Sequence, residues 1–190
     1  GGAVYTEFDG AVSPKYSLLS FGYDRLQQTG ELGSRKKTNN KWFETQDSIN
    51  YWEDFFKPKI VWKRVGSILR FAYDESGALA LDSTCFATGQ HLKFLLIVLN
   101  SKIGKYLLKD SPQTGTGDLL ISVQAIEPLK IPIPDSITEI SFERLADEIM
   151  NENKAGRSIV RLEKETCQML YKYYDFDEEE IDFIECLYNQ

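Results

Sequence analysis

Hydrophobic positions in the first part of this chain mostly come in short runs and alternations, and in the last part they recur every three or four residues. Leu18, Leu19, Tyr23 and Leu26 predict a short helix over residues 16–28, ended by Thr29-Gly30. Gly33 to Lys41 has no apolar side chain and reads as a loop or exposed edge, and Trp42-Phe43 starts a buried segment. Pro58 then introduces KIVW, residues 59–62, which reads as a strand. Ile68 to Tyr73 and Ala78 to Phe86 read as two further strands, joined by a hairpin turn at Asp74-Glu75-Ser76-Gly77. Strand alternation sets Lys59 and Val61 on one face and Ile60 and Trp62 on the other, with the cation at the strand edge.

Leu92, Leu95, Leu96, Leu99, Ile103, Tyr106 and Leu107 follow the helical pattern and predict one helix over residues 90–109. Ser111 to Asp118 is a Gly/Thr/Ser loop, and Leu119 to Val123 is a short strand. The alternating prolines of LKIPIP, residues 129–134, remove backbone donors, so this segment is extended and leads out of the sheet-bearing part. Amphipathic stretches follow at 141–154 and 158–174, separated at Ala155-Gly156. Asp177 and Glu180 have capping-box spacing before a last helix whose stripe is Ile181, Ile184 and Leu187. The expected fold is α+β: a small mixed sheet with a helix packed on it, followed by a helical C-terminal extension. Residues 3–136 form the first domain and 137–190 the extension.

Charge divides along the same line. Residues 1–109 carry 15 Lys and Arg against 11 Asp and Glu, whereas residues 110–190 carry 7 against 18. The net charge of −7 thus hides a mildly basic first part and a strongly acidic tail, an asymmetry that fits a nucleic-acid-binding half. Cys85, Cys167 and Cys186 are odd in number and lack metal-ligand spacing, so buried or half-buried thiols in a reducing cytoplasm are expected. The longest apolar run, Phe94 to Leu99, is too short to cross a membrane. Gly1-Gly2 reads as an artificial start, with upstream sequence expected in the natural protein.

The chain carries no recognisable catalytic constellation. His91, the one histidine, opens a helix and reads as a satisfied or surface residue, not as part of a nucleophile triad. Thr114-Gly115-Thr116-Gly117 lacks the lysine of a phosphate-binding loop. Glu178-Glu179-Glu180 reads as a solvated helix start. The chemistry points instead to binding. Arg35, Lys36, Lys37, Thr38, Asn39, Asn40 and Lys41 join four cations to two amides and a hydroxyl. Cations neutralise phosphates, and an asparagine amide pairs bidentately with adenine. Lys57, Lys59, Lys63 and Arg64 bracket the KIVW strand, and Gln113, Thr114 and Thr116 offer uncharged donors and acceptors on an unhindered loop. A protein-interaction scaffold built on the helical tail is the alternative.

An ordered set of segments carries a resemblance: Lys41-Trp42, KPKIVW at 57–62, Thr84-x-Phe86, Leu99-Asn100-Ser101-Lys102, Ile131 to Pro134, and the closing LEKETCQMLYKYYDFDEEEIDFIE. This set resembles the TaqI-like C-terminal specificity domain of Type IIG restriction-modification enzymes and related phage-defence adenine methyltransferases. The resemblance implies a double-stranded-DNA partner and a recognition module that is not an enzyme by itself. It also implies upstream methyltransferase and nuclease domains in the same chain that hold S-adenosylmethionine and Mg²⁺, with no cofactor in this fragment.

Overall fold

A computed structural model describes residues 37–39 and 50–188. The predicted helix at 16–28 and the Trp42-Phe43 segment lie outside the described residues. The chain divides into two compact units, residues 1–51 and 52–190. The second is the expected α+β fold.

Its centre is β1 (Lys59–Lys63), flanked by β3 (Phe71–Asp74) and β4 (Thr84–Thr88) in an antiparallel sheet of order β3-β1-β4. β2 (Val65–Gly66) leaves this sheet and pairs antiparallel with β5 (Leu119–Leu120). Both outer strands run antiparallel to β1, so the segment between them cannot be a tight hairpin; residues 75–83 must return from the Lys59 end of β1 to its Lys63 end. Asp74 instead turns the chain locally. Its Oδ1 accepts from the Ser76 backbone N–H at 3.1 Å and from the Ser76 hydroxyl at 2.6 Å, and Gly77 follows at φ +76°. The β3 strand omits Ile68 to Arg70, and the β4 strand omits Ala78 to Ser83.

The predicted helix at 90–109 is two helices, α1 (Leu92–Asn100) and α2 (Lys102–Leu107). Apolar periodicity runs through both because both are buried, and the break is made by polar groups that periodicity ignores. Ser101 is extended at ψ 173°; its hydroxyl donates to the Val98 carbonyl at 2.6 Å and accepts from the Gly104 N–H at 3.2 Å. One residue earlier, Asn100 clamps the sheet. Its Oδ1 accepts from the Phe71 N–H at 3.0 Å, and its Nδ2 donates to the Phe71 carbonyl at 2.9 Å and to the Leu96 carbonyl at 3.1 Å. Asn100→Ala is expected to leave the Phe71 N–H and C=O without these partners. It should lower stability by about 1–2 kcal/mol, read as a fall of several degrees in Tm.

α1 has apolar side chains on two faces and lies between two cores. Leu96 and Leu99 join Ile60, Trp62, Phe71, Leu108 and Ile121 against the sheet, where the Trp62 indole donates to the Ile121 carbonyl at 2.8 Å. Phe94, Ile97 and Val98 face the helices that follow α3 (Val123–Ile126). These are α4 (Ser136–Lys154), α5 (Val160–Tyr173) and α6 (Glu178–Tyr188). They contribute Phe142, Ala146, Leu170, Tyr171 and Ile184 to the second core.

α4 starts at Ser136, earlier than its apolar stripe suggests, because Asp135 accepts from the Ile137 and Thr138 N–H groups at 3.0 and 2.9 Å. Gly156 at φ +67° separates α4 from α5. The Asp177–Glu180 capping box forms in both directions, at 3.0 and 2.9 Å. Leu187, expected on the last helix's apolar stripe, is exposed, as is Cys186. His91 takes a left-handed conformation at φ 59°, and its Nδ1 lies 2.6 Å from Glu139 Oε1, tying the start of α1 to α4.

Candidate nucleic-acid interface

The strand register places several loops at the Lys63 end of β1. Trp62 lies opposite Phe71, so residues 64–70, which precede β3, are at that end. Lys63 lies opposite Thr84, so residues 81–83, which precede β4, are there too. The Arg64 N–H donates to the Ser83 carbonyl at 2.9 Å, and the Arg64 carbonyl accepts from the Ile121 N–H at 2.9 Å. β5 is thereby joined to the same corner. The polar loop preceding β5 follows, because Leu119 pairs with Gly66 and bridges to Gln113. Sequence patterning treats Lys63-Arg64 and Gln113 to Thr116 as remote segments; the β2–β5 ladder and the Gln113–Leu119 bridge bring them to the two sides of β5.

Lys63, Arg64 and Arg70 are exposed there, and none forms an ion pair with a described residue. The opposite end of β1 is neutralised. Lys57 pairs with Asp54 at 2.6 Å. Lys59, expected as a solvent-facing cation, is fully buried. Alternation does put it on the face opposite Ile60 and Trp62, but a 3-10 turn at Trp52–Phe56 covers that end of the face. The Lys59 ammonium contacts the Asp74 carboxylate and donates to the Phe55 carbonyl at 2.8 Å. The hydrogen bond from Lys59, followed by that from Ser76, holds the Asp74 carboxyl down at about 2. Lys59 is a structural lysine and cannot reach a phosphate.

The loop before β5 is shaped by its own hydrogen bonds. The Thr114 N–H donates to the Asp118 carbonyl at 2.8 Å, and the Gly117 N–H donates to the Thr114 carbonyl at 2.9 Å. The Thr114 and Thr116 hydroxyls lie 2.8 Å apart, Thr116 Oγ1 donates to Asp118 Oδ2 at 3.0 Å, and the Asp118 N–H donates to Thr114 Oγ1 at 3.2 Å. Gln113 is exposed at the base of this turn. In the first unit, Lys37 and Asn39 are exposed and Thr38 is half-buried. Arg35, Lys36, Asn40 and Lys41 lie outside the described residues.

Sequence patterning does not single out Arg70 or Asp118. It absorbs Arg70 into a strand that starts too early, and it treats Asp118 only as the end of a loop. No group of three His, Cys, Asp or Glu side chains among the described residues is arranged to hold a metal. None of the described helices is long and apolar enough to cross a membrane.

A small antiparallel sheet backed by a helix carries the exposed cations Lys63, Arg64 and Arg70 on the segments around one end of β1, with Gln113 on the loop tied there through β5. The TaqI-like C-terminal specificity domain model matches residues 11–133, and the chain belongs to that family. Such a domain is the DNA-recognition part of TaqI-like systems. A search of curated proteins returned no match.

Proposed function

We propose that this chain reads the target sequence for a restriction-modification or phage-defence adenine methyltransferase in the cytoplasm. In this reading it positions upstream methyltransferase and nuclease domains of the same chain on double-stranded DNA. S-adenosylmethionine and Mg²⁺ belong to those upstream domains. The observation that carries the reading is that Lys63 and Arg64, exposed and without ion pairs among the described residues, stand at the end of β1 to which β2 and β5 tie the Gln113–Asp118 loop, in a chain of the specificity family.

The roles divide by chemistry. Lys63 and Arg64, together with Arg35, Lys36, Lys37 and Lys41 of the first unit, hold phosphates. Asn39, Asn40 and Gln113 read base edges, because an amide presents a donor and an acceptor in fixed geometry. Thr114 and Thr116 hold the loop's shape and present its edge to the groove. The helices α4–α6, of which α4 and α6 are acidic, lie across α1 from the sheet and act as a docking or spacing element that stays off the phosphates.

Methylome sequencing of cells expressing the full-length enzyme tests the division. Asn39→Ala, Asn40→Ala and Gln113→Ala are expected to relax or shift the methylated motif, because each good bidentate amide–base pair supplies about 1–3 kcal/mol of discrimination. Lys63→Ala and Arg64→Ala should weaken all sites alike and lower the salt slope of binding by about one each. An unchanged motif in all three amide variants would remove them as readers.

A further inference from the structure

Ile68 and Leu81 are large aliphatic side chains that the fold leaves in water, at 63% and 75% exposure. Neither sits on a loose segment. Leu81 begins a tight turn in which the Thr84 N–H donates to the Leu81 carbonyl at 2.9 Å, and Ser83 of that turn accepts from Arg64. Ile68 lies between β2, whose Gly66 pairs with Leu119, and β3, whose Phe71 pairs with Trp62. Both turns lie at the Lys63 end of β1, and the core beneath them is already filled by Trp62, Phe71 and Ile121. A solvated loop end gains nothing from two such side chains, since each leaves apolar area in water.

We infer that Ile68 and Leu81 make an apolar contact with thymine 5-methyl groups in the major groove of duplex DNA, between the phosphates held by Lys63, Arg64 and Arg70. This rests on the DNA-recognition reading above and adds to it a non-polar part of the base readout. Charge complementarity selects the occupant. Residues 64–70 and 81–83 carry two arginines beside Lys63 and a single carboxylate, Asp82. Cations around apolar side chains match phosphates flanking a methyl-bearing groove, and an aspartate there accepts from a cytosine amino group. Apolar contact with the thymine methyl distinguishes it from the other bases without a hydrogen bond.

The test uses the whole chain. A duplex pool with a randomised centre is enriched on the wild-type protein, and the enriched duplex is remade with deoxyuridine for thymine. Leu81→Ala and Ile68→Ala are expected to bind the thymine duplex about fourfold more weakly each, the effect of about one buried methyl group, with the salt slope unchanged. Lys63→Ala, in contrast, should lower the slope. Wild type should lose about sixteenfold on the uracil duplex, where both methyl contacts are gone, and each single variant should bind that duplex no more weakly than wild type, so the variant and uracil effects should not add. Thermal melts of these surface variants should match wild type. Wild-type affinity in both variants, or effects that add fully, would overturn the methyl contact while leaving DNA recognition standing, and would give the patch to another occupant. Failure of the wild-type chain to enrich any sequence would overturn both.

Discussion

Lys59→Ala is expected to destabilise the fold by about 3 kcal/mol, lowering Tm by roughly 10 °C, because it empties the space of a fully enclosed side chain and strips the half-buried Asp74 carboxylate of its counter-charge. The ammonium is fully enclosed and meets both Asp74 and the Phe55 carbonyl, so its removal takes one donor from each and opens a cavity between them. A phosphate-binding lysine would behave in the opposite way, altering DNA affinity and its salt slope with stability intact, as expected of Lys63→Ala. The double variant Lys59→Met/Asp74→Asn should recover part of the stability, since it fills the space, removes the unpaired charge and keeps an oxygen for the Ser76 N–H.

The same pair gives a pH signature. Asp74 is held at about 2 in the folded protein against 3.8 for an unperturbed aspartate. A depressed carboxyl contributes its stability above the unfolded value and loses it as pH falls through the folded one. Wild type should therefore shed about 2 kcal/mol between pH 4 and pH 2 through this group. Lys59→Ala should show a flatter dependence in that window, measured by thermal melts at pH 7, 4 and 2.5. Equal slopes in the two proteins would mean that Lys59 does not set the Asp74 carboxyl.

Gly104→Ala is the second large effect. A Cβ at this position would stand 2.4 Å from the carbonyl oxygens of both Val98 and Leu99. These are backbone atoms of the last turn of α1, so no side-chain rotation relieves the overlap. The corner between α1 and α2 must open, at about 3 kcal/mol or more, equivalent to a fall of about 10 °C in Tm. The consequence reaches the interface. α2 leads through buried Leu108 to the 111–118 loop, whose Pro112 carbonyl accepts from the Leu120 N–H at 2.7 Å. Gly104→Ala should thus weaken DNA binding along with stability, even though Gly104 is buried beneath the surface. Ser101→Ala, which removes the cap on Gly104 and the hydroxyl's bond to the Val98 carbonyl without a steric clash, should cost about 1–2 kcal/mol. If Gly104→Ala melts with wild type, the α1–α2 corner is not a rigid joint.

The ordered segments that mark the family are mostly structural within the described residues. KPKIVW supplies the buried Lys59 and the Trp62 indole bonded to Ile121. Thr84-x-Phe86 places a ring 4.9 Å from Phe55. Leu-Asn-Ser-Lys holds the Asn100 clamp and the Ser101 cap, and the proline exit accepts from the Tyr173 hydroxyl at the Pro132 carbonyl, 3.0 Å away. This division has a physical reason. Residues that close hydrogen bonds inside a packed core are constrained by the fold, whereas exposed side chains at the end of the sheet, such as Lys63 and Arg64, make no ion pair among the described residues.

Local periodicity, capping chemistry and ordered motifs act over a few residues, and they were enough for the α+β class, the β1 strand, the helical C-terminal part with its capping box, and membership of the specificity family. Long-range packing set the rest. It put β3 and β4 on either side of β1, let Ser101 break one apolar stripe into two helices, and joined the Gln113 loop through β5 to the strand that follows Lys63 and Arg64. Those outcomes depend on which strand edge meets which and on what covers each face. A charged residue at a strand position has the same local pattern whether solvent or a 3-10 turn lies above it, and it took the turn at Trp52–Phe56 to make Lys59 an internal counter-ion.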